Sequence, residues 1–85
     1  MRRVEVIVGK TYRHFKGEYY RVLCIASDST TPPGEPLREV VIYEALYGAH
    51  KFWSRPYELF IERVDRDMYP EVMQDYKFEL VDDHE

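Results

Sequence analysis

A chain of 85 residues is the size of one domain, and a domain this small buries only about 60–65% of the surface its unfolded form exposes, so its core is modest. A net charge of −4 argues against tight, non-specific nucleic-acid binding, which depends on neutralising phosphates. The single cysteine, Cys24, excludes an internal disulfide and a cysteine-based zinc site, and no stretch approaches the roughly 20 apolar residues of a membrane-spanning helix.

Eight tyrosines dominate the aromatic residues. Tyrosine has an apolar body and a polar tip, which suits half-buried strand faces, so the first reading is a thin β-rich domain and the second a binding surface. Cys24 lies in an apolar run and is expected to be a buried, inert thiol. The charged start and short apolar run at residues 1–8 lack the length and cleavage site of a signal peptide, so a cytoplasmic protein is expected. Charge is uneven: residues 1–21 carry six basic side chains against Glu5 and Glu18, while ten acids follow Tyr57 against Arg63, Arg66 and Lys77. The two parts of the chain are expected to complement each other across the fold.

In chain order, Val4, Val6 and Val8 alternate with Glu5 and Ile7 as in a first strand, which Gly9-Lys10 ends. Residues 11–15 form a second β-prone run with Tyr12 and His14 on one face, and Gly17 turns it back. Residues 19–26 are mainly apolar in both alternating sets, the pattern of a central strand covered on both sides and paired antiparallel with residues 11–15. Three prolines and a glycine make residues 27–37 a loop. Residues 38–47 form a long strand with Val41, Tyr43, Ala45 and Tyr47 on one face. Gly48-Ala49-His50 reverses the chain into a short strand over 51–54, and Pro56 starts a helical turn carrying Tyr57, Phe60, Ile61 and Val64. Residues 65–67 read as a turn, 70–74 as another helical turn, 76–80 as an edge strand and 81–85 as a frayed acidic end. The expected architecture is one domain over residues 1–85, mainly β: a small antiparallel SH3-like barrel or strongly bent sheet with one short helical turn.

Two stretches carry a resemblance. The first is Gly9-Lys10-Thr11-Tyr12-Arg13-His14-Phe15-Lys16-Gly17 with Val22-Leu23-Cys24-Ile25-Ala26. The second is Val40-Val41-Ile42-Tyr43-Glu44-Ala45-Leu46-Tyr47-Gly48 with Trp53-Ser54-Arg55-Pro56 and Phe60. Together they resemble domain of unknown function family 1653, over about residues 9 to 64, through its H-F-K-G and W-x-R-P motifs. The resemblance implies a small, cytosolic bacterial domain and brings no settled activity; no cofactor is expected, and the three histidines share no metal-ligand spacing, so no metal is expected either.

The residues themselves single out Tyr12, His14, Tyr43, Tyr47, Trp53 and Arg55 as a ligand-binding group. Trp, Tyr and Arg are the commonest anchors of interfaces, and Trp53 and Arg55 share a face if the strand runs through Ser54. Such a group suits a planar ring, a cation or an extended peptide, so the expected partner is a protein, a peptide or a small ligand. The plainer reading has Trp53 plugging one end of the core and Arg55 pairing with Glu44 or Glu58. A hydrolase or transferase using His14, with Arg55 as an anion clamp, is a second reading, weakened because no nucleophile stands at a motif spacing from His14. Weak nucleic-acid contact through the basic first third is a third, and pairing of two copies along residues 76–80 is an expected route to a dimer.

Overall fold

The computed structural model describes residues 3–81. Five strands and one helical turn follow each other: β1 (Thr11–His14), β2 (Tyr19–Ser27), β3 (Glu39–Ala45), β4 (Phe52–Pro56), α1 (Tyr57–Phe60) and β5 (Phe78–Leu80). Every pairing is antiparallel, in the order β4-β3-β2-β1-β5. The sheet is not closed, so the strongly bent sheet is the form observed rather than the barrel. As expected, β2 is central and pairs with β1, and the last strand lies at an edge. Gly17, at φ 113°, makes the β1–β2 turn in a backbone region that side chains disfavour.

Alternation sets the core where the strands are regular. Val41, Tyr43 and Ala45 are buried along β3, with their neighbours half-buried on the other side. Along β2 the same rule breaks at one point. Val22 pairs with Tyr43 but Cys24 pairs with Ile42, so one extra residue enters β2 between them. A bulge of this kind reverses the in–out parity beyond it and strengthens the local twist. Tyr20, Val22 and then Ile25 therefore meet the core, and Cys24 turns outward. The expectations of a buried Cys24 and of a strand covered on both faces are both corrected: the outer face of β2 carries exposed Tyr19, Arg21 and Cys24.

Residues 4–8 are not a strand, contrary to their alternation. They run as an extended strap whose hydrogen bonds go to tyrosine side chains instead of a neighbouring strand. The Tyr57 hydroxyl accepts from Val6 N–H at 2.8 Å and donates to Val4 C=O at 3.1 Å, and the Tyr12 hydroxyl accepts from Ile7 N–H at 2.9 Å. Val6 is thereby pressed into the core. The Arg3 guanidinium lies 3.6 Å over the Tyr57 ring and pairs with Glu39 and Glu58, so basic charge at the start of the chain does meet later acids.

Beyond β4, Pro56 leads into α1, which buries Tyr57 and Phe60. Phe60 is fully enclosed and stacks on Phe78 of β5, with centroids 4.2 Å apart and planes 10° from parallel. Tyr12 and Tyr43 meet Phe60 edge-on at 5.5 and 5.4 Å. The connecting residues 61–77 hold a turn near 66–68 and a single bridge between Arg63 and Tyr76. Residues 70–71 turn, but 70–74 form no helix. Gln74 fixes this segment to β1: its amide donates to the carbonyls of Arg13 and Tyr76 and accepts from the Arg13 guanidinium. The acidic end expected to fray lies, after Val81, outside the described residues.

Phe60→Ala removes the centre of the aromatic cluster and is expected to cost about 3–5 kcal/mol, a large share of the roughly 5–15 kcal/mol of a typical domain. Urea unfolding of the two forms measures it. Tyr57→Phe leaves Val6 N–H without its partner, a loss of about 1–3 kcal/mol; amide exchange should accelerate at Val6 more than at Val22 or Val41.

Candidate functional site

Strand β4 is the edge that exposes the face of interest. Its ladder sets Arg55 opposite Val41 and Trp53 opposite Tyr43. Directly opposed residues share a face, so Trp53 and Arg55 both point to the concave side that carries the core. Val41 and Tyr43 are sealed there, but Trp53 extends past them and is 49% exposed. The indole therefore does not plug the core.

Arg55 is half-buried. Its Nε donates to the Tyr43 hydroxyl at 3.3 Å, and its guanidinium carbon lies 5.0 Å from the centroid of Phe78. Neither expected carboxylate partner is there: Glu58 is paired with Arg3, and Glu44 lies 3.2 Å from His50. Among the described residues no acid is within ion-pair distance of Arg55.

His14 faces the same side from β1, opposite Phe78 in the ladder. Its ring packs edge-on against Phe78 at 4.9 Å and lies 4.6 Å from Phe15. Nδ1 accepts the Lys16 backbone N–H at 3.1 Å, which leaves the proton of the neutral ring on Nε2. Burial, reinforced by Arg55, Lys16 and Lys77, lowers the His14 pKa to about 4. The ring is neutral near pH 7 and a weak base.

Tyr20 is a member of this face that the sequence reading missed. Its ring meets Tyr43, Tyr47 and Phe78 edge-on, and its hydroxyl shares a 2.7 Å hydrogen bond with that of Tyr47. Burial, then this bond, raises its pKa well above the ordinary tyrosine value. The opposition of Tyr20 to Ala45 across β2 and β3 would have signalled it had the register been known.

Two hollows open beside Trp53 and Arg55. One, of about 210 Å³, lies between Trp53, Lys51 and the turn at Tyr47, Gly48 and Ala49. The other, of about 280 Å³, is lined by Arg55, His14, Lys16, Lys77, Tyr69 and Asp65 among others. Of the six residues singled out in the sequence, His14, Tyr47, Trp53 and Arg55 border this open side and Tyr43 forms its buried base. Tyr12 is 6% exposed and belongs to the core under the strap. Lys16 joins the face from the turn two residues after His14, within the same motif, whereas Tyr69 and Lys77 come from a distant part of the chain with no local signal to find them by.

Since the folded His14 pKa is depressed, the unfolded chain binds more protons between about pH 4 and 6.5. The stability tied to a neutral His14 is therefore complete above about pH 6.5 and is lost as pH falls toward 4. An NMR titration should place the His14 midpoint near 4, and His14→Gln should flatten the fall of stability across that window.

Among the described residues no helix is long and apolar enough to cross a membrane, and no group of three or more His, Cys, Asp or Glu is placed to hold a metal ion. No curated protein and no solved structure matches the chain. The family described as Protein of unknown function (DUF1653) matches residues 10–79, which reaches Phe78 and Glu79 of β5 and takes in the segment after Val64 that the resemblance in the sequence had left out. The strap alone among the main features stands before the match, and the chain belongs to the DUF1653 family.

Proposed function

We propose that the protein is a binding module that recognises a small ligand or a peptide or protein segment through the concave side of β4. One observation carries the reading. A half-buried guanidinium, with no acid in reach among the described residues, stands two positions from a half-exposed indole on the same face. Removing a cation from water is unfavourable unless it is paired. Tyr43 and Phe78 offset part of that cost for Arg55 and hold its planar head in one orientation. Indole and guanidinium surfaces held in this way suit planar or π-rich partners.

Binding is preferred to hydrolysis or group transfer because His14 is a weak base near neutral pH and, among the described residues, no Ser, Thr or Cys lines the hollow beside it. The nucleic-acid reading loses ground because Arg3 is engaged by acids and Arg13 by Gln74. An exposed, unpaired Cys24 suits a reducing compartment, which supports the bacterial cytoplasm as its setting.

A screen of neutral ring fragments by proton–nitrogen correlation spectroscopy tests the reading. Bound fragments should move the Trp53 indole N–H and the Arg55 Nε–H, and Trp53→Ala should weaken them about tenfold, the loss of a typical aromatic anchor. If Trp53→Phe and Trp53→Ala both bind every hit unchanged, this face is not the site.

A further inference from the structure

The hollow beside Arg55 gathers more positive charge than the fold uses. Lys16, Arg55 and Lys77 all line it, against the single acid Asp65. Lys77 is answered by Glu62 at 2.7 Å. Asp65 is partly committed to its own turn, where a carboxylate oxygen accepts the Asp67 N–H at 2.9 Å. Lys16 and Arg55 keep no carboxylate partner among the described residues. Lys16 instead lies near two rings, 5.8 Å from Phe15 and 5.9 Å from Tyr69. His14 lines the same hollow, and because its Nδ1 is occupied by the Lys16 N–H, its Nε2–H is a further donor. Like charges that outnumber the acids beside them repel one another, and an anion seated among them relieves that repulsion.

We propose that this hollow is an oxyanion site that takes the carboxylate or phosphate group of a small planar ligand, with Arg55 and Lys16 supplying charge and His14 a neutral hydrogen bond. The proposal rests on the recognition face described above and assigns its ligand class. Trp53 and Arg55 are two residues apart on an extended strand, roughly 7 Å between backbone positions. That separation matches an aryl carboxylate or aryl phosphate with its ring on the indole and its oxyanion at the guanidinium. Arg55 is suited to the task because its fork presents parallel donors to two oxygens, and Tyr43 already holds its Nε end.

Inorganic phosphate and acetate, titrated separately at constant ionic strength, are the first probes, followed by phenyl phosphate and benzoate. Saturable shifts are expected at the Arg55 Nε–H and the Lys16 amide with one or both simple anions, and the stronger of the two identifies the natural group. Arg55→Gln should weaken binding about tenfold or more, with Arg55→Lys intermediate because it keeps charge without the fork. Lys16→Gln, at an exposed turn, should weaken it without threatening the fold. Trp53→Ala should leave inorganic phosphate unaffected and reduce phenyl phosphate to the affinity of phosphate alone. Shifts that never saturate, or phosphate binding unchanged in folded Arg55→Gln and Lys16→Gln, overturn the anion site. Neutral fragments that still bind at Trp53 in that case leave the recognition face standing. Saturable phosphate binding with no ring effect at Trp53 supports the anion site and removes the wider face.

Discussion

The stack of Phe60 on Phe78 is the contact on which the molecule depends. An open, bent sheet has two edges, and here they are β4 and β5. The chain leaves β4 straight into α1, so Phe60 is delivered beside one edge, while Phe78 belongs to the other. Ring stacking between them does the work that ladder hydrogen bonds perform in a closed barrel. An aromatic pair contributes about 0.5–1.5 kcal/mol beyond its buried area, and this one is the centre of a cluster that also takes in Tyr12, Tyr20 and Tyr43. Phe78 has a second duty. The Arg55 guanidinium lies over its ring and His14 packs against it. One side chain is at once a wall of the core and a support of the candidate site, so the geometry of the site is inherited from the packing of the fold.

Two local departures from regular β-structure make that arrangement possible. The extra residue in β2 adds twist where the sheet must curl, and it swaps which side chains face inward on the far side of it. The strap at residues 4–8 covers one end of the core without joining the sheet. Two tyrosine hydroxyls satisfy three of its backbone groups. Tyr12 and Tyr57 thus serve the core with their rings and the backbone with their oxygens, which explains part of the tyrosine content without reference to any ligand.

Much of the fold was readable because it obeys period two. β3 announced its inward set through Val41, Tyr43 and Ala45, and Pro56 marked the start of the helical turn. The first strand failed for a physical reason. The alternation of Val4, Val6 and Val8 records an extended backbone with one side pressed inward, but cannot say whether the partner is a strand or a pair of phenols. Cys24 failed because a bulge leaves no mark in residue type, yet reverses every position after it. For the site, Trp53 and Arg55 could be placed on one face by their spacing alone. Tyr20, Tyr69 and Lys77 could not, because they reach it through strand register and through a loop anchored by Gln74. Tyr12 was grouped with the site on the strength of its strand face, but that face is open near His14 and closed near Tyr12.

The pairing of β1 with β5 joins His14 to Phe78 across most of the sequence. A ribosome makes β1 early and β5 late, so the nascent chain can assemble the meander of β1 to β4 while one flank of β1 is still bare. Until residues 78–80 emerge, Phe60 lacks its stacking partner and Arg55 the ring beneath its guanidinium. The hollow that gathers Lys16, Arg55 and Lys77 therefore forms only after residues 65–80 have been made, and a chain cut short of them lacks it.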